Sequence, residues 1–340
     1  MAADTESQQG PPWTAASTMH CGKSSLSCPA GETMTERRAL CGMLPVDKPA
    51  GMTSHDVVMA VRRSSGVRRV GHCGTLDPIA TGLLVLAVGP ATRLTRFLLA
   101  SEKSYEAVIA LGRATDTMDA EGEVVTEAPV PDAALDEARV REVLEQMVGT
   151  MLQRPPAYSA VKVRGRPAHR LARAGIEVDL EPRTVTIRRA RLLAIEREPV
   201  TWRVEFVVSK GTYVRVLAAE AAQRMGTVGH LSGLRRTASG GITVERAHPL
   251  PEILELAGRG RLSEAFIPAR EALPLPAVEI TPKAADDLGF GRTIRYPEGD
   301  GDTLEDDADV LAVTGDRVIA VCRAGGGLLR PTVVLPGGCP

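Results

Sequence analysis

The stretch Gly71-His72-Cys73-Gly74-Thr75-Leu76-Asp77-Pro78-Ile79-Ala80-Thr81-Gly82 leads straight into the unbroken apolar run Leu83 to Val88, and this junction constrains the fold more than any other part of the chain. A short continuous apolar run bounded by glycine reads as a strand buried on both faces. Glycines 71, 74 and 82 permit tight turns in the loop before it, while Pro78 biases Asp77 away from the α region. An aspartate before proline is by itself a common turn former. The same stiffness would also hold a carboxylate in a fixed place beside a buried strand, so the loop can present a reactive group.

Elsewhere helix and strand signals mix without a regular β-α-β repeat. Apolar Met43 to Val46 precedes a Lys-Pro-Ala-Gly turn, and Thr53 or Ser54 then caps a helix with Val57, Val58 and Val61 on one face. Ala91 to Leu99, Asp132 to Val148 and Val216 to Met225 read as helices, and Tyr105 to Leu111, Thr184 to Ile195 and Trp202 to Ser209 as strands. This mixture predicts an α+β domain around a mixed, largely antiparallel sheet. Prolines 249, 251, 268, 274 and 276 mark a connector, and apolar stretches at Ala277 to Ile280, Val310 to Val313, Val318 to Val321 and Thr332 to Leu335 predict a small β-rich module. The expected divisions are residues 41–250, a connector at 251–275 and the module at 276–340. Residues 1–40 lack hydrophobic periodicity and are expected to be disordered or to precede the true start near Met34.

With 340 residues and 44% hydrophobic content, the chain can bury a substantial core. The longest apolar run falls far short of the roughly 18 residues that span a bilayer. The first forty residues have no apolar signal core and cleavage site, so no membrane segment and a cytoplasmic location are expected. The six cysteines form no C-x-x-C pair and meet no histidine cluster, which argues against a disulfide scaffold or a metal site. The formal net charge of -1 hides an uneven distribution. Residues 41–250 carry 29 Lys and Arg against 23 Asp and Glu, whereas residues 251–340 carry 9 against 15. An anionic partner therefore belongs to the middle of the chain.

Taken whole, the segment from Gly71 to Gly82 resembles the uridine-site motif G-H-x-G-T-L-D-P-x-A-T-G of the TruB-type tRNA pseudouridine-55 synthases, with every fixed position present. The resemblance extends through Leu44-Pro45-Val46-Asp47-Lys48-Pro49-Ala50-Gly51-Met52-Thr53-Ser54, Lys103-Ser104-Tyr105, Gly112 with Thr115-Asp116-Thr117, and Asp119-Ala120-Glu121-Gly122. It continues in Pro155-Pro156-Ala157-Tyr158-Ser159-Ala160-Val161-Lys162, Lys210-Gly211-Thr212-Tyr213-Val214-Arg215 and Leu234-Arg235-Arg236-Thr237. These segments follow the family's order across residues 43–237.

The resemblance implies a catalytic domain of the pseudouridine synthase type that isomerises uridine 55 in the T arm of tRNA, with Asp77 as nucleophile. Attack on the ribose C1′ and attack on the uracil ring are both debated for such enzymes. An isomerisation needs no cofactor, in keeping with the absence of a G-x-x-x-x-G-K-[ST] loop. Tyr105 would stack on the target base, and His72 would contact RNA around the flipped nucleotide. Arg215, near the start of a helix whose dipole opposes a cation, calls for an anionic partner, which the resemblance makes Asp77. Lys48, Asp119, Tyr158, Lys210, Tyr213 and Leu234 complete the expected RNA-facing set. The basic run Lys162, Arg164, Arg166, Arg170 and Arg173 reads either as a solvated face or, by resemblance, as part of a mobile thumb at about 159–178 that closes on the T arm. His169 and Arg170 depart from the aromatic and acidic residues expected there.

By the same resemblance the C-terminal module is PUA-like, and the protein acts as a monomer on tRNA without a guide RNA. The main rival is a guide-dependent synthase of the archaeal and eukaryotic type, although this chain lacks that type's long Lys-rich tails. A non-catalytic RNA chaperone is a rival of a different class, and a chaperone role could also accompany catalysis.

Overall fold

The Thr81–Val88 strand is buried along its whole length, as its apolar run requires. It pairs antiparallel with Gly42–Lys48, from Gly42↔Val88 to Lys48↔Gly82, and with the short strand Val70–His72. Gly42–Lys48 also pairs in parallel with His248–Pro249, so the sheet is mixed. The computed structural model describes residues 40–159, 161–163, 165–176, 178–296 and 305–340. The reading of residues 1–40 thus lies, except for Leu40, outside the described residues, as does Arg164.

Among the described residues, one compact unit comprises Ile79–Thr81 and Glu102–Thr237, and the other residues 40–78, Gly82–Ser101 and Ala238–Pro340. The second unit contains the strands just described and the helix Ser54–Ser65. Thr53 caps that helix: its Oγ accepts from the Asp56 N–H, and the Asp56 carboxylate accepts from the Thr53 N–H. The helix buries Val57, Val58 and Val61, each contributing about 1.5–3 kcal/mol relative to exposure. The same unit holds a five-stranded sheet in the spatial order Ala277–Glu279, Asp309–Thr314, Arg317–Gly325, Leu328–Cys339, Ile294–Arg295. This is the β-rich, PUA-like module. It does not stand apart from the opening strands, because Leu311, Val318, Val321 and Leu335 share one core with Met43, Leu83, Val85 and Leu94.

In the first unit the strands lie in the order Gly229–Ser239, Lys103–Leu111, Val200–Val208, Arg183–Arg197, Gly149–Gln153, and the last three pairings are antiparallel. Helices Glu137–Glu145 and Val214–Arg224 pack against the strands Arg183–Arg197 and Lys103–Leu111 respectively. Trp202 is fully buried, and its indole N–H reaches the Ala134 carbonyl at 2.9 Å. The single helix expected from Asp132 to Val148 is divided. A 3-10 turn, Asp132–Leu135, ends at extended Asp136, whose carboxylate accepts from the Ala138 N–H and starts the helix anew. The helix expected at Ala91 to Leu99 likewise begins as a 3-10 turn, Gly89–Leu94, with Pro90 at its start, and becomes α only at Thr95–Ala100.

Candidate active site

Asp77 is half-buried on the loop between the Val70–His72 and Thr81–Val88 strands. Both residues beside it are tied down. The Leu76 N–H donates to Ser54 Oγ at 2.8 Å, and the Ser54 hydroxyl donates to the Leu76 carbonyl at 3.1 Å. On the other side the Pro78 carbonyl accepts from the Gly51 N–H at 2.9 Å and from Lys48 Nζ at 3.3 Å. Gly51 is at φ 79°, a left-handed conformation that brings its amide round to the loop and that a side chain would strain. The turn after the first strand therefore serves as a clamp on the aspartate loop.

Lys48 lies beneath the same loop. It was expected at the RNA, but its side chain is fully buried and its ammonium donates to the carbonyls of Pro49 at 2.8 Å and Met52 at 2.7 Å as well as to that of Pro78. A buried ammonium needs such oxygens in place of water. The residue braces the loop from within. His72 is half-buried at the start of the loop, and neighbouring Cys73 is a buried thiol, outside any disulfide, packed in the core.

In the other unit Arg215 is the second residue of its helix, as expected, and is 4% exposed. Its guanidinium donates through Nη1 to the Thr117 carbonyl and through Nη2 to the Tyr158 carbonyl, each at 2.9 Å. Nη1 also lies 3.3 Å from Asp119 Oδ2. Asp119 is thus one anion beside that helix terminus. Asp119, expected to face RNA, is buried in this structure, and its Oδ1 accepts from the Thr117 hydroxyl at 2.6 Å and the Glu121 N–H at 3.1 Å. A carboxylate at the turn of a hairpin is ordinarily solvated. Here the Leu231 backbone pairs with both Met118 and Ala120, which draws the turn inward.

Tyr105 is buried on the Lys103–Leu111 strand, opposite Phe206. Leu234 is also buried, and its carbonyl accepts from the Thr81 hydroxyl at 3.4 Å. Tyr213 is half-buried, its backbone held by Gln153 at 2.7 and 3.2 Å, and Lys210 is exposed. Tyr158 donates to Asp116 Oδ2 at 3.4 Å. Lys162, Arg166, Arg170 and Arg173 are exposed around the short hairpin Lys162–Val163/Arg166–Pro167 and the helix Ala168–Arg173. Among the described residues no group of three or more His, Cys, Asp or Glu is placed to hold a metal ion. No helix among them is long and apolar enough to cross a membrane.

Sequence reasoning missed Ser54 as part of the site. The signal available was its position one residue after the true cap, where a serine hydroxyl is released for another partner.

Comparison with known proteins places these residues in context. Residues 62–214 match the TruB family pseudouridylate synthase (N terminal domain). The chain is 42% identical to a tRNA pseudouridine synthase B of Geobacillus thermodenitrificans over 282 residues, covering 81% of this chain and 92% of the relative. It is 40% identical to one of Burkholderia pseudomallei over 298 residues, covering 87% and 97%. Among solved structures, a chain of a Cbf5-Nop10-Gar1 complex superposes with a TM-score of 0.66 at 25% identity, covering 86% of this chain and 84% of that one. A chain of an H/ACA RNP bound to a substrate RNA containing 2′-deoxyuridine shares the fold, with a TM-score of 0.66 at 23% identity.

Proposed function

The chain belongs to the TruB family of pseudouridylate synthases, and on that premise we propose that it isomerises uridine 55 in the T arm of tRNA to pseudouridine, with Asp77 as nucleophile. The observation that carries this reading is the Asp77 loop: a carboxylate held through both neighbouring residues and lying within the complete family motif. Rigid placement of a nucleophile is what such a reaction needs, because misplacement by about 1 Å can cost 10²-fold in rate. The glycosidic bond breaks, the uracil turns over, and it is rejoined through carbon. Substrate and product have the same atoms and oxidation level, so no cofactor is consumed.

The target base must leave its stack, at a cost of about a few kcal/mol. Tyr105 offers an aromatic face for the flipped base, and His72 offers a polar group beside the catalytic loop. The exposed arginines of the 159–178 segment neutralise phosphates of the T arm. Replacing Arg164, Arg166, Arg170 and Arg173 together with Gln is expected to weaken tRNA binding. The slope of log affinity against log salt should flatten by about 0.7–0.9 for each phosphate that the variant no longer neutralises. An unchanged salt slope would make this segment an ordinary solvated surface.

In this reading residues 41–250 form the catalytic domain, and the acidic module at 276–340 serves the fold more than phosphate binding. The protein works as a cytoplasmic monomer without a guide RNA; the relatives named tRNA pseudouridine synthase B, matched over nearly their whole length, favour this over assembly in an H/ACA-type particle. A tRNA-folding role by binding alone is compatible with the same surface. The test is pseudouridine mapping of an unmodified tRNA transcript incubated with the purified chain and nothing else.

A further inference from the structure

We propose that Ser54 is a positioning residue for the Asp77 carboxylate, acting through the backbone of Leu76. The inference deepens the proposed function and rests on Asp77 being the nucleophile. Ser54 is the first residue of its helix and is 2% exposed, yet it does not cap that helix, because Thr53 and Asp56 already close its N-terminus. Its hydroxyl is used twice on one residue 22 positions away: it accepts from the Leu76 N–H at 2.8 Å and donates to the Leu76 carbonyl at 3.1 Å. Leu76 itself is 3% exposed, so its peptide groups sit where water does not compete.

The geometry makes this more than a tether. The Leu76 carbonyl and the Asp77 amide belong to one planar peptide unit, so holding that carbonyl sets the plane from which the Asp77 side chain departs. On the far side Pro78 restricts the conformation of Asp77, and its own carbonyl is held by Gly51 and Lys48. Asp77 is therefore bracketed between two fixed units. The Ser54 hydroxyl is a side-chain group that holds the preceding one. Removing it would let the plane rotate and swing the carboxylate without touching any group that meets RNA.

The experiment uses the full chain, an unmodified tRNA transcript and the variants Ser54→Ala, Ser54→Thr and Asp77→Asn. For Ser54→Ala the expected single-turnover rate is at least about tenfold below the parent, with tRNA affinity within about twofold. Ser54→Thr, which keeps the hydroxyl, should recover most of the rate. Should Ser54→Ala not fold, Ser54→Cys, with similar shape and weaker hydrogen bonding, is read by the same criteria. A parent-like rate in Ser54→Ala would overturn the proposal. So would a joint loss of rate, affinity and melting temperature, which would mark Ser54 as a support of the fold. Parent-like turnover by Asp77→Asn would instead remove the assignment on which the inference rests, whatever Ser54 does.

Discussion

Asp77→Asn is expected to lower pseudouridine formation by at least about 10³-fold, equivalent to roughly 4 kcal/mol of barrier, while the protein stays folded and binds tRNA. The substitution keeps the size and shape of the side chain and replaces a carboxylate oxygen with an amide nitrogen that cannot act as a nucleophile at carbon. The loop has supports on both sides of that side chain: Ser54 holds Leu76, and Gly51 and Lys48 hold Pro78. Loop geometry should therefore survive. Single-turnover rate, tRNA affinity and melting temperature on one preparation separate the chemical effect from a structural one. Parent-like turnover would end the mechanism, and loss of affinity together with rate would make Asp77 part of the binding surface.

Arg215→Lys is expected to slow turnover by about 10²-fold, or roughly 2.7 kcal/mol, with tRNA affinity largely kept. The planar guanidinium donates to the Thr117 and Tyr158 carbonyls through different nitrogens while lying 3.3 Å from Asp119. One ammonium can supply the charge but not this spread of directions. The hairpin turn and the Tyr158 segment would then lose their common brace. Because Lys keeps the positive charge, Asp119 is not left as an unpaired buried anion, a change that typically costs about 3–5 kcal/mol. Melting temperature should accordingly fall little. A large drop in stability with matching losses of binding and rate would assign Arg215 to the fold alone.

The parts of this protein legible in the sequence were those set by local chemistry. The run Leu83 to Val88 reads as a buried strand and is one, whereas the sequence places the helix start only to Thr53 or Ser54, and the structure assigns the cap to Thr53 with Asp56. The break at Asp136 was less visible, since the apolar periodicity runs on through it and the cap competes with the helix only when the backbone turns. Lys48 and Asp119 show a different limit. Charged residues in loops are usually solvated, and the burial of these two is offset by near bonds, to Pro49 and Met52 for Lys48 and from Thr117 and Glu121 for Asp119, together with the Pro78 carbonyl and the Arg215 guanidinium, which only the fold brings in. The shared core of the C-terminal module and the opening strands was invisible for the same reason: it joins residues such as Met43 and Leu335 that no pattern connects.

The most direct test of the central claim is single-nucleotide pseudouridine mapping of an unmodified tRNA transcript after incubation with the purified chain alone. Conversion is expected at uridine 55, with no guide RNA or cofactor added. A transcript that binds the protein but keeps uridine at position 55 would contradict it, as would pseudouridine formed at another position.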